Sequence, residues 1–164
     1  MEKLKVKFSK QYRDYTCGSV CLEMIFDYYG KKISREKIMK IAKTTKRGTG
    51  HLNMINAVRT FGFYCYVHEN SSVNQIKHFI GKKFPVLVNY IEPDTNEGHY
   101  AVVIGYDGWN IILNDPWNGK NFKISFKNFK KRWFDYHTNN KLSKWIMVIS
   151  NNRFSVGKQY EPLK

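Results

Sequence analysis

No stretch of the chain approaches the roughly 20 apolar residues that a bilayer-crossing helix requires. The charged start, Met1-Glu2-Lys3-Leu4-Lys5-Val6-Lys7, runs into polar residues and lacks the apolar segment of a secretory signal. A cytoplasmic protein without a membrane span is therefore expected. Cysteine is scarce: Cys17, Cys21 and Cys65 are odd in number and have no framework spacing, which argues for reduced thiols and against a disulfide-stapled fold. Cys17-x-x-x-Cys21 has no second Cys or His pair at ligand spacing, so no structural metal is expected, and no cofactor either. Internal repeats and linkers are also missing from the 164 residues. The expectation is one domain, with its core at about residues 8–150 and a loose tail over 151–164.

Acidic residues are few. The 13 Asp and Glu stand against 28 Lys and Arg, giving a net charge of +15. That surplus favours acidic partners without selecting among them, and the basic residues form only short clusters such as Lys130-Lys131-Arg132. A solvated, lysine-rich surface accounts for most of it. No stacking motif or basic signature of a nucleic-acid-binding module is present, so no nucleic-acid partner is expected. Hydrophobic residues at 42% and aromatics at 16% exclude a disordered chain.

What is present begins with helical periodicity. Val20, Cys21, Met24, Ile25 and Tyr28 recur at three- and four-residue steps, predicting a helix over residues 17–29 that Gly30 can stop. Ser34 is placed to cap a second helix reaching Ala42. A third carries Leu52, Ile55 and Val58 towards Gly62, and a fourth covers Val73 to Ile80. Phe63 to His68 reads as a strand. From Phe84 the pattern becomes β: Phe84–Ile91, His99–Tyr106, Trp109–Asn114, Asn121–Phe126 and Trp145–Ile149 are bounded by turn residues. A short helix near Lys127–Trp133 interrupts the last two. Helices first and strands later define an α+β domain, with N-terminal helices packed on a C-terminal antiparallel sheet.

The chemistry concentrates in two places. Gln11-Tyr12-Arg13-Asp14-Tyr15-Thr16-Cys17-Gly18 puts a thiol in the first turn of an apolar helix. Unpaired N–H groups and the positive end of the helix dipole favour a thiolate there. Gly18 leaves room for a substrate backbone, and the Gln11 amide can donate into an oxyanion hole with the Cys17 N–H. Alone, such a cysteine is more commonly a buried structural one. The second place is Glu97-Gly98-His99, a histidine opening an apolar strand, followed by Asn114-Asp115-Pro116 at the end of the next.

Turn length decides whether His99 and Asp115 can meet. A two-residue Asp107-Gly108 turn would put them on opposite faces. A three-residue Tyr106-Asp107-Gly108 loop, with Gly108 left-handed in a bulge, would pair Gly105 with Trp109 and set His99 directly across from Asp115. That bulged loop is predicted, with Ala101, Val103, Ile111 and Leu113 aimed inward beneath the site. Asp115 would then orient His99 and stabilise its imidazolium. Asn114 is the rival, disfavoured by strand parity. His51, His68, His78 and His137 receive no role, Cys21 and Cys65 are assigned to the core, and so, in preference to a cleft, are Trp117 and Trp133.

Together, QYRDYTCG, GHYAVVIGYD and NDPW resemble the papain-fold, double-glycine (bacteriocin-processing) cysteine peptidases and their free-standing relatives, over about residues 8–150. The Tyr28-Tyr29-Gly30 helix end and the Gly48-Thr49-Gly50 break are lesser similarities. The resemblance implies that Cys17 is the nucleophile, His99 the base, Asp115 the orienter and Gln11 the oxyanion donor, in amide hydrolysis through an acyl-thioester. It also implies a peptide or protein substrate, a Gly-Gly-type bond being one option. The sequence departs from the transporter-linked members in having no membrane span and no phosphate-binding loop. Thr16 also stands where those members commonly carry Asp. A catalytically silent peptide-binding module and an acyl-transferring enzyme with the same triad remain the alternatives.

Overall fold

A computed structural model describes residues 1–137, 139–155 and 157–164; the side chain of His137, to which no role was assigned, lies outside the described residues. Four helices come early: α1 (Cys17–Tyr28), α2 (Arg35–Ile41), α3 (His51–Thr60) and α4 (Val73–Gly81). Strand β1 (Glu2–Lys3) precedes them and β2 (Tyr64–His68) falls between α3 and α4. Then follow β3 (Val86–Ile91), β4 (Gly98–Tyr106), β5 (Asn110–Asp115), β6 (Gly119–Ser125), α5 (Phe126–Arg132), β7 (Phe134–His137), β8 (Asn140–Ser143) and β9 (Ile146–Ser150). The large sheet runs β2-β9-β3-β4-β5-β6 with β1 added beside β4, and every pairing is antiparallel. This is the helices-on-antiparallel-sheet architecture expected from the order of patterns. No helix among the described residues is long and apolar enough to cross a membrane.

Local chemistry accounts for the helix limits. Ser34 and Ser125 cap α2 and α5 by accepting from Lys37 N and Asn128 N. Ser72 and Gln75 form a reciprocal capping box on α4. Gly30, at φ +78, reverses the chain after α1. On α3 the core face is Met54, Ile55, Ala57 and Val58, whereas Leu52, expected to be a contact, projects into solvent. It lies two residues before Met54, roughly 160° around the helix axis from it and so off the buried face.

Strands β3, β4 and β5 are buried at nearly every position, not at alternate ones. Both faces of the sheet centre are therefore covered, as their near-continuous apolar runs require. Ala101, Val103, Ile111 and Leu113 are indeed in the core, but so are Val102, Ile104 and Ile112.

The β4–β5 turn differs from the predicted one. Tyr106 faces Ile111 and Gly105 faces Ile112, not Trp109. Gly108 is not left-handed. The Asp107 carboxylate closes the loop instead, accepting from the N–H groups of Trp109 (2.9 Å) and Asn110 (2.7 Å). Carried unbroken down the ladder, this register would leave His99 and Asp115 on opposite faces. A bulge restores the parity: Val103 faces Leu113, so Ile104 is an extra residue in β4. Its carbonyl, left out of the ladder, accepts from Leu4 N at 2.7 Å.

Two further differences are visible. The β7–β8 hairpin was not anticipated. The terminal segment expected to be loose is pinned: Tyr160 and Cys65 exchange backbone hydrogen bonds, Leu163 N donates to Arg59 O, and Phe154 is buried. It thereby covers the outer edge of β2.

Candidate active site

Cys17 opens α1, a helix with nine buried residues out of 12. Thr16 precedes it without capping the helix by its side chain, because its hydroxyl turns back to Arg13 O at 3.0 Å. The helix packs so closely on its neighbours that a Cβ on Gly18 would lie 3.0 Å from Met54 Sδ and 3.2 Å from the Tyr100 ring. Gly18 thus allows the close seating of α1 on α3 and β4.

His99 lies near the start of β4 and Asp115 ends β5. The bulge puts them on one face, His99 two residues beyond the position opposite Asp115 in the Val102↔Asn114 register. His99 Nε2 and Asp115 Oδ1 are 2.7 Å apart, and both side chains are buried. The Cys17 side chain acts on the same imidazole and favours its charged form. Cys17, His99 and Asp115 are therefore brought together at one site.

The carboxylate of Asp115 is held on all sides. Tyr90 Oη donates to Oδ2. The backbone N–H groups of Trp117 and Asn118 donate to Oδ1, each at 2.9 Å. Burial opposes its charge, but the hydrogen bond and charge of His99, then Tyr90, outweigh it and hold the carboxyl below its usual range. Burial likewise works against a charged His99; the bond to Asp115 and the interaction with Cys17 overcome it and raise the imidazole to about 10. The pair is an imidazolium–carboxylate at neutral pH. Asn114, the rival orienter, instead donates Nδ2 to Val6 O at 2.9 Å and ties down the N-terminal segment.

Gln11 is buried. Its N–H donates to Pro116 O at 3.0 Å, fastening it to the turn that follows Asp115. Nε2 donates to Arg13 O at 2.8 Å, and Oε1 has no hydrogen-bond partner among the described residues. Cys21 and Cys65 are fully buried, and burial pushes both thiols up. Trp133 is in the core, but Trp117 is 42% exposed and donates Nε1 to Asp94 Oδ2 at 2.8 Å, outside the core expected for it.

A cleft of about 550 Å³ opens at Cys17, walled by the Thr45–Gly50 segment, Asn89, Gly98, Tyr100 and Asp135 and Tyr136 of β7. Sequence reasoning missed several of its parts. His51 stacks edge-on against Trp145 and approaches Asn89 Nδ2 with Nε2. Asp135 packs so tightly on Gly98 that a Cβ there would overlap its carboxylate. Tyr90 gave no signal, since its place beside His99 follows from the Tyr90↔His99 pairing alone. The Trp117 and Asn118 amides were foreshadowed: Asp-Pro-Trp-Asn is a turn in which an Asp side chain accepts nearby N–H groups. Among the described residues, no three His, Cys, Asp or Glu gather as a metal site would need.

A helix-borne cysteine facing a strand-borne histidine braced by a carboxylate, on this layered sheet, defines a papain-like peptidase fold. The chain belongs to the peptidase C39 family, whose pattern matches residues 5–138. It is 28% identical over 134 residues to the mesentericin transport/processing ATP-binding protein MesD of Leuconostoc mesenteroides, covering 79% of this chain and 18% of that one. ComA of Streptococcus pneumoniae gives the same identity and coverage. The chain thus spans under a fifth of the length of these relatives. Among solved structures, the peptidase domain of a Streptococcus ComA superposes with a TM-score of 0.73 at 22% identity, covering 90% of this chain and 99% of that one. A double glycine motif protease from an AMS/PCAT transporter, in complex with the leader peptide, gives 0.69 at 22%, over 90% and 92%. A Bacillus anthracis protein described as C39-like gives 0.73 at 15%, over 93% and 99%.

Proposed function

We propose that the chain is a working cysteine peptidase in which Cys17 is the nucleophile, His99 the acid–base, Asp115 the orienter and Gln11 an oxyanion donor. The observation that carries this reading is the buried His99 Nε2–Asp115 Oδ1 pair, braced by Tyr90, Trp117 and Asn118, with the Cys17 side chain acting on the same imidazole. The thiol proton already resides on His99 as imidazolium, and the sulfur attacks the scissile carbonyl carbon as thiolate. The second N–H of Gln11 Nε2, beyond the one given to Arg13, and the Cys17 N–H receive the charge that develops on oxygen. The C–N bond breaks as imidazolium returns the proton to the leaving amine. Water, deprotonated by the same imidazole, then releases the acid from the acyl-thioester.

The substrate is an extended peptide, and a bond after Gly-Gly is the first to test, because related domains are described as acting on that motif. A cleft walled by Tyr100, Asn89 and a hairpin pressed onto Gly98 suits residues without side chains near the thiol.

The test is pH-dependent alkylation by iodoacetamide with mass mapping of all three cysteines, followed by cleavage of leader-type peptides with Gly-Gly or Ala-Ala before the cut. Rapid labelling of Cys17 alone, slowed in His99→Ala, together with cleavage lost in Cys17→Ala, is the expected result. Labelling of Cys17 no faster than of a free thiol in a peptide would return the chain to a peptide-binding module.

A further inference from the structure

The β4–β5 hairpin carries His99 and Asp115 at one end and Trp109 at the other. Trp109 is 82% exposed, an unusual state for the largest apolar side chain. It is not exposed through looseness. Asp107 Oδ1 holds its N–H, and its carbonyl accepts from Phe126 N at 3.0 Å, so a rigid turn presents the indole outward. Around it stand half-buried Tyr106 and Phe126, with Lys77 Nζ over both rings at 5.1 and 4.6 Å. Lys3 and Lys127 are exposed on the adjoining β1 and α5. The two nearby carboxylates, Asp107 and Glu2, are each within 4 Å of a further lysine: Lys123 at 3.0 Å and Lys83 at 3.8 Å. Five lysines thus face two carboxylates around one projecting indole.

We propose that this end of the sheet is a docking surface for an anionic membrane. The chemistry fits a lipid interface: a pre-ordered amphipathic ring settles at headgroup depth while flexible ammonium groups meet lipid phosphates. An acidic protein would also supply the charge, but a single ring projecting among flexible ammonium groups matches a headgroup layer better than a shaped protein surface. Between His99 and Tyr106 the strand rises roughly 24 Å at about 3.4 Å per residue. Docking through Trp109 therefore keeps the His99 end of the hairpin, and the site it carries, clear of the lipid headgroups.

The test is co-sedimentation of the whole chain with vesicles of phosphatidylcholine alone and of phosphatidylcholine with one-third phosphatidylglycerol, with tryptophan emission followed in parallel. Binding to the anionic vesicles only, weakened by salt and accompanied by a blue shift, is expected. Trp109→Ala should remove the shift and lower affinity at least about fivefold. Lys3→Gln and Lys127→Gln should each lower it about fivefold. Both residues lie far from the cleft, so Cys17 alkylation should stay unchanged in every variant and reports separately on the peptidase reading. No vesicle binding, or anionic binding that Trp109→Ala leaves intact, would overturn the proposal. So would tighter binding to an acidic peptide or RNA than to anionic vesicles.

Discussion

At the scale of single residues, the behaviour of His99 is governed by what holds Asp115. A carboxylate accepting from Tyr90, Trp117 N, Asn118 N and His99 cannot rotate. Removing one donor should therefore weaken the site without dissolving it. Tyr90→Phe is expected to lower kcat about tenfold with little change in KM, since one hydrogen bond to a charged group is worth about 1.5–3 kcal/mol. Asp115→Asn should lower it by about 10²–10⁴-fold. It should also bring the alkaline limb of the pH–rate profile down from near 10, because the main cause of the raised imidazole is gone. An unmoved alkaline limb in that variant would mean that Asp115 does not set the charge of His99. Gly18→Ala should destabilise the fold by about 1–3 kcal/mol through overpacking on Met54 and Tyr100, read as a lower urea midpoint at unchanged slope. The positions of Cys17, His99 and Asp115 were legible because each is flagged by local context: a helix start, a polar-to-apolar strand entry, an Asp-Pro turn. Tyr90 and Asn89 were not, since residues on a buried strand acquire meaning only from their cross-strand partners.

At the scale of elements, periodicity and caps carried far. Ser72→Ala should cost about 1 kcal/mol, with earlier exchange of the first amides of α4, because both halves of its capping box depend on that residue. What escaped were elements whose stability is borrowed. Strands β7 and β8 have four residues each and, among the described residues, pair with one another in a two-stranded sheet, too short a run for alternation to mark a strand. The tail reads as polar, yet its attachment to β2 is through main-chain atoms, which composition does not report. Deleting residues 159–164 should accelerate amide exchange at Cys65 and increase self-association, since the outer edge of β2 would then be bare. Unchanged exchange at Cys65 would show that the Tyr160 bridge contributes nothing in solution.

At the scale of the whole molecule, the His99–Asp115 pair links stability to pH. The folded imidazole, at about 10, lies above its unfolded value of about 6.5, so its contribution is complete below 6.5 and is lost as pH rises through 10. Asp115 is depressed, so its contribution is present above about 3.9 and disappears as pH falls through the folded value. Unfolding free energy from urea titrations should therefore be greatest near pH 5–6.5 and should decline between 6.5 and 9 more steeply than in His99→Gln. Parallel slopes in the two proteins would remove His99 from the balance.

The extra residue at Ile104 makes the hairpin behave like a coded message with a reading phase. A one-residue change within either strand between His99 and Asp115 exchanges inside for outside, whereas a change of two preserves it. Lineages of this fold should therefore lengthen or shorten that hairpin by two, or by one with a compensating bulge elsewhere. Deleting Ile104 alone should leave a foldable sheet whose histidine and aspartate face away from each other, a lesion repaired not by restoring either residue but by one insertion anywhere along the same strand.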